Sequence, residues 1–578
     1  MSSISRRDFL NGIALTVAAG LTPAAQIAAE PTRYPPALTG LRGQHPGSYE
    51  VAHAQAWRGK VFALEGLPVE EEYDLVVVGG GISGLAAAFF YRRAAGPSAR
   101  ILVLDNHDDF GGHAKRNEFT FDGRLVIGYA GSESIDSPMT QYSEAANGLL
   151  RELGVEIGRF ETAFERTLYS SLGLSRAVFF ARETFGRDVL VPGEPPGAGI
   201  DDASRRIANG KPLSEFVAAF PISSASKAQL LALYDRGHDP LGGKTAQEKL
   251  ETLKRTSYRD YLVRVCGCSE EVANCFQGRT LGFFGLADGN ASLARLLVRS
   301  LVPEVAPGET MDDVVLARFD YDKLDRSGQG VRIRLESTCV DVRNTPESVL
   351  IGYVRAGVPH RVEAKHAVLA CFHMVIPHIM PELPVAQREA LARNVKTPLV
   401  YTNVLVRDWR PWVHLGVHDI SAPMSFHSRA KLDFPVSLGG YHHPRDPSEP
   451  MCLHLVHVPG APNRGLDART QFRIGQARLL DMTFADFEAK IRDELDRMLG
   501  GGGFTSARDI AAITVNRWPH GYGYVANSLY DEDDYASVLE RARQKASRVA
   551  IANSDAGGDA YAHLAIAEAA RAVAELAG

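Results

Sequence analysis

From Tyr73 the chain reads YDLVVVGGGISGLAAAFFYRRAAGPSARILVLDNHDDFGGH, and this stretch limits the fold more than any other. Leu75 to Val78 is an apolar run of strand length, followed by three glycines, an Ala-rich segment predicted as a helix over Leu85 to Tyr91, and a second apolar run ending on Asp105. This order of strand, turn, helix and strand is a βαβ unit. Gly79, Gly81 and Gly84 supply G-x-G-x-x-G, whose glycines allow a tight turn, close approach of backbone to a diphosphate, and packing of helix on strand. Alone the pattern is weak. The preceding strand, the following helix and an acid about twenty residues further on make it specific for a dinucleotide. Asp105 is placed to accept from ribose hydroxyls, and the N–H groups of the helix end face the diphosphate.

The dinucleotide is expected to be FAD and not NAD. Gly111-Gly112 follows the acidic strand end directly, with His113, Lys115 and Arg116 behind it, and resembles the second pyrophosphate loop of flavoproteins. Near the C-terminus, Val549 to Ala552 reads as a strand, Asn553-Ser554-Asp555 as its turn and Tyr561 to Leu576 as a helix. Asp555 would hold the ribityl or diphosphate region while the helix end faces the flavin. The strands around Val340 and HAVLACF complete the same domain from distant parts of the chain.

The 578 residues carry 63 Lys and Arg against 69 Asp and Glu, a net charge of -6. No basic excess is available for a phosphate backbone, so nucleic acid is excluded as a partner. At the N-terminus SRRDFL precedes a short apolar run from Gly12 to Leu21 and then small residues, which resembles a twin-arginine export signal over 1–30 and predicts a periplasmic protein. No later stretch is apolar enough to span a bilayer. Six cysteines include Cys266-Gly-Cys268 and Cys275, which lack paired zinc spacing and read as thiols. His442-His443, His454 and His457 read as ordinary core or surface histidines.

The order of GGGISG, GGH, the Val340 strand, AVLACF and SDAGGDAYAHLAIAEAA resembles the monoamine and polyamine oxidase superfamily of flavoproteins, from Tyr73 to nearly the end. Within it, the Tyr34 to Gly59 segment, GYAGSESIDSP, LADGNASLARLLVRSLVP, TPLVYTNVLVRDW and RWPHGYGY are similar to bacterial FAD-dependent spermidine dehydrogenases. The resemblance implies an α/β fold: a Rossmann-like FAD-binding domain of the amine-oxidase type, interleaved with a mixed α+β substrate domain. We place the FAD-binding domain at 71–140, 281–375 and 511–578, and the substrate domain at 141–280 and 376–510. Residues 31–70 form a segment before both.

The resemblance also implies oxidation of a polyamine, spermidine first, to an aminoaldehyde and a diamine, with electrons leaving FAD for an acceptor other than oxygen, either a periplasmic redox protein or a quinone. It implies Gly79, Gly81, Gly84, Asp105, Gly111, Gly112, His113, Val340 and Asp555 at FAD, with Trp518, His520 and Tyr522 as the catalytic loop. Relatives with covalent FAD use a cysteine near that loop. NRWPHGYGYVANS has none, so FAD is expected to be non-covalent. Many relatives carry a lysine in the strand matching Leu399 to Val406, whereas here the nearest is Lys396, before Pro398. A b-type haem is implied as well. The absence of C-x-x-C-H excludes covalent attachment, and His45 and His53 are its candidate iron ligands.

Hydride leaves a carbon beside nitrogen only when the nitrogen lone pair is free. With a lysine-like pKa, deprotonating the amine at pH 7 costs about 4 to 5 kcal/mol. Acids near the reacting nitrogen would stabilise the wrong form, and apolar walls disfavour charge there. Trp518, Tyr522 and Tyr524 are therefore expected at the flavin end, and Glu133 at a remote ammonium. The alternatives are an oxygen-using amine or L-amino-acid oxidase of the same fold, a carotenoid-type desaturase, and a flavin electron carrier.

Overall fold

A computed structural model describes residues 34–133, 135, 138, 140–195, 210–235, 239–278 and 289–577. The expected export signal lies outside them. Two sheets organise the chain. The first has Val331–Arg334, Ile101–Leu104, Glu71–Val78 and Val358–Leu369 as parallel neighbours, and Val549–Ile551 pairs in parallel with the last of these. Val349–Arg355 and Ser337–Asn344 extend it antiparallel. Leu75, Val76, Val77 and Val78 are all buried because both faces of this sheet are covered, hence a continuous apolar run and not an alternating one.

Helix α1 (Glu50–Arg58) lies outside this sheet, and α2 (Ile82–Ala95), α3 (Ala291–Leu301) and α4 (Ala562–Ala577) pack on one side of it. Alanine-rich α2 is a strong helix former that ends at Gly96 with φ 94 after Arg92 and Arg93 in its last turn. Its first residue follows Gly81 without a side-chain cap, so its leading N–H groups are left for something other than its own chain. The chain is an α/β protein with a Rossmann-like domain.

The second sheet runs Gly40–Gly43, Ile510–Tyr522, Thr397–Val406, Met451–His457, Arg429–Leu432, Val417–Ser421, Ser175–Phe180, Val189–Pro192. One face packs against helix Phe484–Leu499 through Phe487, Ile491 and Leu495. The other face carries Leu399, Tyr401 and Val456 against Tyr129.

Two boundaries differ from the sequence reading. Ile510–Tyr522, placed from 511 in the FAD-binding domain, is hydrogen-bonded to Thr397–Val406 in the second sheet, so the chain returns to the first sheet only after Tyr522. Gly40–Gly43, placed before both domains, is the parallel edge strand beside it. Residues 141–280, placed in the substrate domain, contribute Ser175–Phe180 and the edge strand Val189–Pro192 to the second sheet. Short edge strands have too few residues to display a period of two, and only their neighbours define them. Among the described residues no helix is long and apolar enough to cross a membrane.

Candidate functional site

The two glycine loops meet at the C-terminal ends of the parallel strands. Gly111 N–H donates to the Gly80 carbonyl (2.8 Å), and a Cβ on Gly112 would sit 3.0 Å from the Gly81 Cα. Only glycines let two backbones approach so closely at the N-terminus of α2. Asp105 closes the turn. Its Oδ2 accepts from Gly80 N–H (2.7 Å), and its Oδ1 accepts from His107 N–H (2.8 Å) and faces His107 Nδ1 (3.1 Å). Burial alone would raise this carboxyl, but the His107 contacts and Lys115 hold it below the usual range.

These loops floor a cavity of about 290 Å³ lined by Gly79, Gly81, Gly111, Gly112, Asp105 and His113. Phe372, Lys396, Trp518, His520 and Tyr561 also line it. His520 Nδ1 is buried without a hydrogen-bond partner. Uncapped N–H groups, a backbone cradle that side chains would fill, and an orphaned ring nitrogen together fit an FAD-type dinucleotide. The glycine loops would hold its diphosphate, and Asp105 its ribose.

The charge inside is low. Burial pushes the imidazoles of His107 to about 4 and of His113 and His520 to about 3, with Lys115 or Lys396 or a neighbouring histidine adding to the effect, so all three are neutral at pH 7. Trp518 donates Nε1–H to the Ala130 carbonyl (2.8 Å) and meets the His113 ring edge-on at 4.7 Å. Lys396 is 2% exposed and ion-paired with Asp555. The Cys371 thiol, also on the wall, is pushed up to about 12 by burial and stays protonated, which removes a nucleophile from the cavity.

Several expected site residues sit elsewhere. The Val340 side chain packs on Leu64 and Val354, and its carbonyl accepts from Gln55 Nε2 (2.6 Å), whereas Ser337, Thr338 and Cys339 reach the cavity. The ladder shifts register between Gly352 and Tyr353, which leaves Val340 as the extra residue of a bulge and turns its side chain away from the cavity. Asp555 lies behind Lys396, not on the wall itself. Tyr522 is set beside Tyr401, Tyr129 and Leu399, next to the cavity and not among its lining residues.

Tyr524 is buried in another core, donating to Asp531 (2.7 Å) under the Arg469 guanidinium, 3.9 Å from its ring. It does not face the site. Glu133 is buried and already ion-paired with Lys431, which leaves it no net charge for a substrate ammonium. His45 spends both ring nitrogens, Nδ1 on the Pro46 carbonyl (2.9 Å) and Nε2 on Asp108 (3.1 Å). It is not available to a haem iron. Among the described residues no group of three or more His, Cys, Asp or Glu could hold a metal ion.

Lys396 was set aside in the sequence because it precedes the strand. A register shift between Thr397 and Leu399 breaks the ladder at that point, and the lysine enters the cavity. Pro398, which cannot donate to a ladder, was the available signal. His107 and Phe372 carried no motif and were missed.

Acid should expose the cost of keeping these imidazoles neutral. Between the unfolded histidine pKa of about 6.5 and the folded value, the unfolded state binds protons that the folded state does not. Stability is therefore lost as pH falls, by about 1.4 kcal/mol per pH unit for each such imidazole. Urea unfolding of the cofactor-free protein at pH 6 and pH 5 should show this slope, and His113→Asn or His520→Asn should each reduce it by about one proton. An unchanged slope in both variants would refute the burial argument.

A family model for an NAD(P)-binding Rossmann-like domain matches residues 77–153. No curated protein sequence matches the chain. Among solved structures the chain is similar to putrescine oxidase bound to putrescine, with 15% identity and a TM-score of 0.47 over 88% of this chain and 99% of that one. It is similar to cyclohexylamine oxidase from Brevibacterium oxydans IH-35A, with 16% identity and a TM-score of 0.45 over 87% and 98%. It is also similar to a fatty acid isomerase from P. acnes, with 13% identity and a TM-score of 0.46 over 87% and 98%.

Proposed function

We propose that this protein oxidises a polyamine, spermidine before others, using non-covalent FAD, and passes the electrons to an acceptor other than oxygen. The observation that carries this reading is the cavity beyond the dinucleotide cradle: apolar and aromatic walls, neutral imidazoles, and one cation neutralised by its own buried acid. FAD, when bound, supplies a hydride acceptor for the carbon beside the amine nitrogen.

The chain's own residues set the protonation state of that nitrogen. Trp518 and Phe372 disfavour an ammonium by desolvation, and neutral His113 and His520 offer it no counter-charge. Lys396, neutralised by Asp555, offers it no net charge either. His520 Nδ1, without a partner in the protein, is the atom best placed to hold a water or a proton at the wall. Hydrolysis of the imine product needs only water and completes the change to aldehyde and smaller amine.

An amino-acid oxidase would need a cation for the substrate carboxylate. No arginine lines the cavity among the described residues, which favours amines lacking a carboxylate. No electron step is routed through a haem: His45 is engaged by Asp108 and Pro46, and among the described residues His53 belongs to no group of three or more His, Cys, Asp or Glu that could hold a metal ion. Export to the periplasm remains part of the proposal, resting on the Arg6-Arg7 signal pattern.

Steady-state assays with spermidine, putrescine and amino acids, each with and without an artificial acceptor, test the reading. Spermidine turnover dependent on the acceptor is expected, whereas oxygen-supported turnover of amino acids would replace it. Trp518→Ala opens the wall to water and should lower kcat at least tenfold while the flavin-to-protein ratio stays within twofold. Normal turnover in that variant would remove Trp518 from the site.

A further inference from the structure

On the strand Arg429–Leu432 a cation is buried in a place shaped for one. Ala430 and Leu432 pack into the core under helix Phe484–Leu499, so alternation turns Lys431 to the opposite face of the second sheet, toward Tyr129. The lysine is 3% exposed, and its ammonium meets the Glu133 carboxylate, the Phe434 ring at 3.7 Å and the Tyr129 ring at 5.5 Å. A carboxylate with aromatic faces around it is how a protein binds an ammonium ligand. The Tyr129 hydroxyl is buried in the same place without a hydrogen-bond partner. Burial and then the Glu133 carboxylate push it up, which sets the hydroxyl beside the acid.

The pair stands between two cavities. The FAD cavity reaches Ser132, the residue before Glu133, and this segment runs against Trp518: a Cβ on Gly131 would lie 2.5 Å from the indole Nε1. On the other side a cavity of about 30 Å³ is lined by Lys431 with Tyr169, Asp419, Arg429 and Phe434. Its arginines are already paired, Arg429 with Asp419 and Arg166 with Glu161. Lys431 and Glu133 form the partition.

We infer that Lys431 is a length stop for the amine, filling with the protein's own ammonium a box that would take a further ammonium group of the substrate. Beyond Cβ the lysine is a propylammonium, and spermine is spermidine extended by the same aminopropyl unit. An amine that ends before Glu133 lies beside the resident cation. One longer by an aminopropyl unit meets an occupied box and an acid already neutralised. Taking away the lysine's outer atoms empties a space of matching length and charge. The Glu133 carboxylate, two ring faces and the Tyr129 hydroxyl then remain to receive the terminal ammonium.

The choice of amine rests on the function proposed above, and the box itself does not, so binding is read apart from turnover. Lys431→Ala should melt below wild type, and about 10 mM n-propylammonium should restore at least half of the lost melting temperature. n-Propanol, the same shape without the charge, should restore none of it, and Glu133→Gln added to Lys431→Ala should abolish the rescue. The holoenzyme is then reduced anaerobically with dithionite, so that it cannot oxidise an amine, and titrated calorimetrically. Lys431→Ala should tighten spermine binding about tenfold and leave spermidine within about twofold. Glu133→Gln with Lys431→Met, which removes both charges and keeps the bulk, should hold the wild-type ratio of the two affinities within about twofold.

Equal rescue by propanol and propylammonium, or rescue that survives Glu133→Gln, removes the ammonium box. Rescue with an unchanged spermine affinity closes the box off from the flavin and overturns the length stop. A Lys431→Ala chain that folds only with propylammonium present supports the box as well. If it does not fold even then, Glu133→Gln with Lys431→Ala strands no charge and should bind spermine about threefold more tightly than Glu133→Gln with Lys431→Met, through space alone. Equal affinities in those two variants overturn the stop. Tightened spermine binding with no turnover of either polyamine supports the stop and sinks the oxidation reading alone, whereas spermidine turnover with unchanged spermine binding does the reverse.

Discussion

Lys396→Met is expected to cost about 3 to 5 kcal/mol of folding stability, because it leaves the Asp555 carboxylate buried without its cation. In the native protein burial pushes Asp555 up, but Lys396, His373 and their hydrogen bonds hold it below the usual carboxylate range. Its stabilising contribution is present above the unfolded pKa of about 3.9 and is lost as pH falls through the folded value.

Without Lys396 the sign reverses. Burial then dominates, the carboxyl titrates upward, and the variant should lose less stability at pH 5 than at pH 8. Asp555→Asn alone strands the lysine and should be comparably damaging. The double variant Lys396→Met with Asp555→Asn removes both charges and should regain most of the loss in urea unfolding, since replacing a buried ion pair by neutral groups of similar volume is often tolerated. Additive losses in the double variant would show that the two side chains do not act as a pair. Turnover should stay low in the double variant, which separates the lysine's place on the cavity wall from its part in the fold.

Gly84→Ala should be nearly as damaging to the fold and more so to FAD content. A Cβ at this position would lie 1.8 Å from the Gly79 carbonyl oxygen. The obstacle is backbone at the turn itself, so no rotamer relieves it; α2 must move off the strand it crosses. Overpacking of this kind costs about 1 to 3 kcal/mol, occasionally more. Because the displaced turn also carries the N–H groups of the cradle, flavin content should fall below one tenth of wild type at equal protein concentration. Gly96→Ala, where nothing stands within 4 Å but φ 94 with ψ 168 is a conformation essentially reserved for glycine, is the control: a backbone penalty of about 1 to 3 kcal/mol with FAD retained. Equal flavin content in the two variants would refute the role given to Gly84.

Legibility in the sequence followed the range of the interactions. The strand ending at Val78, the glycine turn, α2 and Asp105 are neighbours in sequence as well as in space, so a local pattern carried them. Helix Phe484–Leu499 is local in the same way, its capping box joining Thr483 to Asp486. Glu133 fared differently. A lone acid in a turn gives no sign of its partner, and Lys431 stands about 300 residues further along the chain. Tyr524 looked like part of an aromatic loop until Asp531 and Arg469 placed it in another core.

What the sequence by itself determined is the dinucleotide half: βαβ order, the double glycine loop and the cysteine-free loop around Trp518, all set by residues close in the chain. What the tertiary structure decided is which charges cancel and which walls meet. Lys396 reached Asp555, Lys431 reached Glu133, and α1 closed over Cys339 and Phe372 because strands from four distant segments assemble the two sheets. Burial strengthens those pairings by removing water from between the charges, and burial is a property of the assembled layers that no local pattern encodes.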